Sequence, residues 1–221
     1  MNIKYEIEPI FKIEFFKIKC IKFKEKKIAI EKALNKYPEM PFDNFYSNRN
    51  KADITTELRQ IFKDEFSLIS TKFNSKILLQ RAWSVTYDKG HYHVPHNHGS
   101  QGYAGIIYLQ QKKDSPKTTY IQPWNNEKDE SVLYSPKVEE GDIMIVPQLL
   151  THYTEPNKTF FKKRILSFDF ILGSSLTNNR FIFCFTLRFI CMHKLCTSAF
   201  RHPATMNPAR VRFAGSVKFK N

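Results

Sequence analysis

No run of apolar residues in this 221-residue chain approaches the roughly 20 that a membrane-spanning helix needs. The longest candidate, from Phe181 to Met192, is far shorter and is interrupted by Arg188. Acids at Glu6 and Glu8, with basic residues recurring through the next apolar stretch, leave no readable secretory signal. The expectation is a soluble, cytoplasmic protein. Cysteine is scarce: Cys20, Cys184, Cys191 and Cys196 are the four, with no CxxC pair. That excludes a disulfide framework. A zinc set can be drawn from Cys191, His193, Cys196 and His202, but its spacing matches no recurring template. Internal repeats and low-complexity tracts are also missing.

Acidic residues disappear from Gly173 onward, while eight basic ones remain there: Arg180, Arg188, Lys194, Arg201, Arg210, Arg212, Lys218 and Lys220. The formal charge of +14 therefore falls to +6 over the first 172 residues. The basic balance says little about the main domain. Lysine dominates before Gly173 (23 Lys, 4 Arg) and arginine after it (3 Lys, 5 Arg). Three of the four cysteines lie in this tail, which reads as an appended, frameshifted or read-through sequence, or as a basic extension. The tail could contact nucleic acid, but nothing in the main domain asks for it.

What is present is a core-forming chain, 42% hydrophobic and only 25% charged, which excludes wholesale disorder. Ile3, Tyr5 and Ile7, then Phe11, Ile13 and Phe15, alternate like strands, as does Ile18 to Phe23. Residues 25–36 read as a helix, then a loop with Pro38 and Pro41. The clearest helix follows, with Asp53 as N-cap and an apolar stripe of Ile54, Leu58, Ile61, Phe62, Phe66 and Ile69. From Ile77 the pattern is β, with strands expected at 78–87, 104–110, 118–122, 132–134, 142–147 and 164–171. The fold class is mainly β with N-terminal helices, a sandwich or small barrel. Residues 1–76 form a support region, 77–172 the core and 173–221 the tail.

Four of the seven histidines fall between His91 and His98, and His152 follows the strand 142–147. An H-x-H pair in extended chain points two imidazoles to one side, and a third from a neighbouring strand can complete a facial set. Imidazole suits iron, zinc, copper and nickel. His91 and His93 read as orienting or surface residues. On the strand 164–171, Arg164 shares a face with Leu166, Phe168 and Phe170, while Ser167 and Asp169 point the other way. An arginine on an apolar face is costly unless an anion meets it. A carboxylate ligand at the far end of a metal cavity is the expected partner, with a structural ion pair as the alternative.

Taken together, Ala82-Trp83 through Tyr87-x-x-Gly90, Pro95-His-Asn-His98, Gly105-Ile-Ile-Tyr-Leu109, Glu140-Gly-Asp142, Pro147-x-x-x-x-His152 and Arg164 resemble the 2-oxoglutarate/Fe(II)-dependent oxygenases. More narrowly, they are similar to the prolyl-4-hydroxylase-like branch common in phages and marine bacteria. The resemblance covers residues 78–171 well and 1–77 loosely. It implies a double-stranded β-helix, the cupin-like jelly roll, with Fe(II) held by His96, His98 and His152. It also implies 2-oxoglutarate with its far carboxylate on Arg164, helped by Tyr108 and more weakly by Tyr87, and ascorbate as an accessory reductant. Two departures stand out. Most of the superfamily has a carboxylate where this chain has His98, and the serine usual two residues after the arginine is Leu166. Three imidazoles leave such a site one unit more positive.

The implied activity is hydroxylation coupled to oxidative decarboxylation of 2-oxoglutarate. A protein side chain, a nucleobase and a small metabolite all remain open as substrate. The rival readings are a three-histidine cupin-like protein that does not use 2-oxoglutarate, and an inactive or nucleic-acid-binding relative. Trp83 reads as core and Trp124 as a residue of the entrance.

Overall fold

The computed structural model describes residues 13–42, 47–50 and 53–175. The strand-like stretch from Ile3 to Phe11 and nearly all of the basic tail, with its zinc-like set, lie outside the described residues.

The N-terminal alternation ends in β1 (Phe16–Lys19). The chain turns through Lys22, whose φ of 52° is left-handed, into α1 (Phe23–Leu34). The stretch expected as a loop instead forms a hairpin, β2 (Glu39–Phe42) with β3 (Ser47–Asn50). Pro41 is tolerated because β2 is an edge strand. The expected single helix is two. Asp53 accepts the Thr55 N–H at 3.0 Å and opens α2 (Thr55–Ile61). Phe62 leaves helical geometry, and α3 (Lys63–Phe73) follows, ending at the left-handed Asn74. Glu65, buried at the start of α3, accepts Lys26 Nζ at 2.7 Å and the Ile21 N–H at 2.9 Å, which ties α1 to α3.

Eight strands follow: β4 (Ser75–Tyr87), β5 (His93–His96), β6 (Tyr103–Gln110), β7 (Thr118–Asn125), β8 (Ser131–Tyr134), β9 (Asp142–Pro147), β10 (His152–Thr154) and β11 (Lys163–Ser175). They form two sheets, one in the order β1-β9-β6-β11-β4-β3-β2 and one in the order β5-β10-β7-β8, with antiparallel pairing throughout the registers. This is the jelly roll that the resemblance implies. The larger sheet is covered on both faces. Leu166, Phe168 and Phe170 of β11 pack with Ile107, Ile143 and Ile145 against Leu34, Leu58, Phe62 and Ile69 of the helical layer. The opposite face carries Val85, Tyr87, Tyr108 and Ile165. A strand buried on both faces loses the plain apolar/polar alternation that marks a half-exposed one.

Among the described residues no helix is long and apolar enough to cross a membrane. Gly105 lies opposite Phe168 in the register of β6 and β11, and a Cβ there would overlap the Phe168 ring. Gly105→Ala should therefore cost roughly 1–3 kcal/mol of stability by overpacking. Urea unfolding of the two proteins checks this.

Candidate metal and cosubstrate site

His96 closes β5 and His152 opens β10, and the two residues face each other across the register of that pair. His98 follows two residues later, with its N–H donated to the Gln148 carbonyl at 3.0 Å. One ring nitrogen from each of His96, His98 and His152 lies within 4.8 Å of the other two.

What surrounds each ring decides which nitrogen is available. His96 Nδ1 lies 2.8 Å from the Val94 carbonyl, His152 Nδ1 lies 3.0 Å from the Leu150 carbonyl, and His98 Nδ1 lies 2.6 Å from Asp169 Oδ1. All three partners are acceptors, so each Nδ1 must donate, which in a neutral ring leaves the lone pair on Nε2. Burial, the leading cause, lowers His96 below the ordinary imidazole range and takes His152 down to about 3, with the neighbouring imidazoles adding to it. Neutral imidazole is the ligating form, so the donor chemistry fits a divalent transition metal.

The rings line one end of a narrow cavity between the sheets, whose walls include Trp83, Val85, Ile106, Ile165 and Ser167. Against two of the lining residues, Tyr87 and Thr118, stands Lys163, fully buried. Its Nζ donates to the Pro116 carbonyl and to Thr118 Oγ1, both at 2.9 Å, and stands 5.3 and 5.7 Å from the ring centroids of Tyr87 and Tyr108. An ammonium has three donors and two are used here. Burial pulls this amine down to about 7, against a smaller upward pull from Glu155. The buried Tyr120 hydroxyl has no hydrogen-bond partner, and that of Tyr108, near Thr118, makes no well-formed bond. Burial raises both phenols, Tyr108 to about 12, so both stay neutral donors. A buried cation and uncommitted hydroxyls below a set of neutral imidazoles fit a dianionic chelator with one carboxylate at each end.

Arg164 is not in this cavity. It sits on the helix-facing side of β11, and its Nη2 meets Glu39 at 3.0 Å. The expectation failed because it took the more apolar face of β11 for the cavity face. That face packs on the helices, and the cavity face is Lys163, Ile165, Ser167 and Asp169. The buried polar groups Lys163 and Asp169, three periods of alternation apart, mark that face. Tyr108 and Tyr87 do flank the buried cation, although that cation is Lys163. His93, read as a surface or orienting residue, lines the cavity. Its ring contacts Ser47 Oγ at 2.8 Å through Nε2 and the Tyr87 hydroxyl at 2.9 Å through Nδ1, and burial above all pushes it down to about 2. Trp83, read as core, is half-buried in the cavity wall, 5.5 Å from the His98 ring. Trp124 stands apart, lining a second hollow with Phe15 and Tyr134.

Comparison with known proteins agrees with the geometry. Residues 81–169 match the family described as "Putative 2OG-Fe(II) oxygenase". No curated protein sequence matches the chain. Among solved structures, the chain is similar to the non-heme alpha ketoglutarate dependent epimerase SnoN from nogalamycin biosynthesis, with a TM-score of 0.58 at 8% identity over 71% of this chain and 77% of that one. HygX from Streptomyces hygroscopicus, solved with nickel, 2-oxoglutarate and hygromycin B, gives 0.54 at 12% identity over 71% and 82%. A prolyl-4-hydroxylase from Pseudomonas putida gives 0.51 at 9% identity over 72% and 93%. At these identities the structures speak for the fold. The matched segment, less than half of the chain, resembles the 2-oxoglutarate/Fe(II)-dependent oxygenases, and the fold and the histidine cluster agree with that resemblance. Through residues 81–169 the chain is similar to enzymes of that class, whose cofactors are Fe(II) and 2-oxoglutarate.

Asp169 is the carboxylate nearest the cluster, and its other oxygen is held by Arg81 Nε. Asp169→Leu should weaken Co(II) binding by roughly 10–100-fold, the usual effect of losing the group that orients a ligand, while Asp169→Asn, which still accepts from Nδ1, should retain most of it. A titration followed by the visible spectrum of the bound cobalt checks both.

Proposed function

We propose that His96, His98 and His152 hold the iron through Nε2, and that Lys163 rather than Arg164 anchors the far carboxylate of 2-oxoglutarate. The observation that carries this reading is the fully buried Lys163 ammonium at the end of the histidine cavity, with one donor uncommitted. Bound there, iron and 2-oxoglutarate supply the oxidative decarboxylation to succinate and CO2 that is coupled to oxidation of a substrate C–H bond. Hydroxylation is the proposed outcome for the substrate.

The chain's own groups do the rest. The Val94 and Leu150 carbonyls and the Asp169 carboxylate keep the proton of each imidazole on Nδ1 and so aim Nε2 inward. Lys163 supplies a charge where water is excluded, and a carboxylate there offsets the cost of burying it. Tyr120 and Tyr108 offer hydroxyls that need an acceptor. Tyr87 contributes its ring beside the ammonium, while His93 and Thr154 occupy its hydroxyl. Val85, Ile106 and Ile165 give the walls their apolar part.

Anaerobic titration with Fe(II) and then 2-oxoglutarate, followed by the weak visible charge-transfer band of the chelate, tests the assignment. Lys163→Met should weaken 2-oxoglutarate on the order of 100-fold, the cost of removing one partner of a buried charge pair. Arg164→Leu should leave it little changed. The reverse order would return the role to Arg164.

The same amine makes binding pH-dependent. Free Lys163 is charged below about 7 and neutral above, whereas the carboxylate complex requires the charged form. Raising the pH through about 7 should therefore weaken 2-oxoglutarate by up to about tenfold per unit, with uptake of about one proton at pH 8. Calorimetry in two buffers of different ionisation enthalpy reads that proton.

A further inference from the structure

The loop between β10 and β11 holds apolar surface in solvent, with Phe160 85% exposed and Phe161 54%. The loop is nonetheless pinned. Asn157, buried, donates its N–H to the His91 carbonyl at 2.9 Å, and its own carbonyl accepts the Gly90 N–H at 2.7 Å. Its side chain donates to the Tyr87 and Phe161 carbonyls at 3.0 and 2.8 Å. The side-chain oxygen accepts the Thr159 N–H and hydroxyl at 3.0 and 2.9 Å. One buried residue thus fixes the turn, and the two rings are held outward instead of folding back.

Lysines surround these rings. The Lys89 ammonium stands 3.9 Å from the Phe160 centroid, and that of Lys112 stands 3.3 Å from the Phe161 centroid. Lys158 and Lys162 flank the rings in the loop itself. Lys113 and Lys117 belong to the β6–β7 loop alongside, where the Lys117 carbonyl accepts the Glu155 N–H at 3.1 Å. Against these exposed lysines the same loops carry only Asp88, Asp114 and Glu155, and Asp88 already meets Lys162 at 3.1 Å. Lys163 comes next in the chain, and Asp169, beside His98, lies further along β11. The patch is therefore at the opposite end of that strand from the histidines, roughly 20 Å away.

A projecting tip suits a surface better than a groove. At the boundary of an anionic bilayer, phenyl rings enter the acyl region while lysine stems reach back to the lipid phosphates. A single nucleic-acid strand would need open ring faces for its bases, whereas an ammonium covers a face of each ring here. A second copy of this chain would bring like charge to like charge. We propose that the Phe160–Phe161 tip, with Lys89 and Lys112, is a membrane-docking site whose partner is a bilayer surface of anionic phospholipid headgroups. Docked in this way, the chain keeps its histidine cluster on the aqueous side. The proposal does not depend on the iron and cosubstrate assignment.

Phe160→Trp places a reporter on the tip of the full chain. It is mixed with vesicles of phosphatidylcholine alone, or with about one third phosphatidylserine, both brominated in the acyl chains so that only an indole inside the bilayer is quenched. The expected result is saturable quenching by the anionic vesicles, beyond that of the parent chain with Trp83 and Trp124 alone, and little by the neutral ones. Added salt should weaken binding. Lys89→Gln combined with Lys112→Gln should raise the lipid concentration at half-saturation about tenfold or more. The basic residues beyond Gly173 can hold the chain on anionic vesicles by charge alone, and the reporter separates the two modes. Cosedimentation without extra quenching assigns the binding to the tail and overturns the proposal. Equal quenching by neutral and anionic vesicles, or a midpoint unmoved by the lysine substitutions, overturns it too. A response of the reporter to a single-stranded oligonucleotide but not to vesicles assigns the patch to nucleic acid instead.

Discussion

β11 is buried on both of its faces, and the molecule depends on its two-residue period. Its even residues, Leu166, Phe168 and Phe170, meet the helices, and its odd residues, Lys163, Ile165, Ser167 and Asp169, face the space between the sheets. A slip of one residue would put a phenylalanine against the histidines and an aspartate against the helical core, so the register is strongly specified. Because Lys163 and Asp169 stand on one face six residues apart, the strand spans the cavity at roughly 3.3 Å per residue, about 20 Å from end to end. It thereby sets the two polar ends of the cavity at once: an ammonium at the closed end and a carboxylate among the imidazoles. The helical layer holds this strand in place, although it contributes nothing to the cavity itself.

This double burial also explains where the sequence was readable. Periodicity located β4, β6, β7, β8, β9 and β11 to within a few residues, as well as α1 and the helical segment after Asp53. β5 and β10, of four and three residues, show no readable period, and both carry histidines of the candidate site. The β2–β3 hairpin was hidden by Pro41, which an edge strand accepts and a central strand would not. The break between α2 and α3 at Phe62 has no composition signal, because Phe62 belongs to the apolar stripe on either reading. Type and spacing brought forward five histidines, the resemblance chose three of them, and the structure brings the rings of those three together. The cation could not, because two basic neighbours, Lys163 and Arg164, point to opposite faces and only the tertiary packing says which face is the cavity.

His98 in place of the more usual carboxylate changes the electrostatics of the site less than a count of ligands suggests. The missing negative charge is present one layer out, as Asp169, within 2.6 Å of the His98 ring. An imidazole that donates to a carboxylate is a stronger base at its other nitrogen than one that donates to a carbonyl. The three histidines are therefore not equivalent. His96 and His152 lean on main-chain carbonyls, whereas His98, in the departing position, leans on an anion. In the proposed site a carboxylate thus acts through the His98 ring.

That arrangement has a consequence at the mouth. A carboxylate bound directly to the metal would have its charge largely spent there. Placed behind His98, it also reaches Arg81, and Arg81 in turn shares the Trp83 face with Arg49. One aspartate thus ties the orientation of a candidate ligand to Arg81 and, through the Trp83 ring, to the strand that carries Arg49.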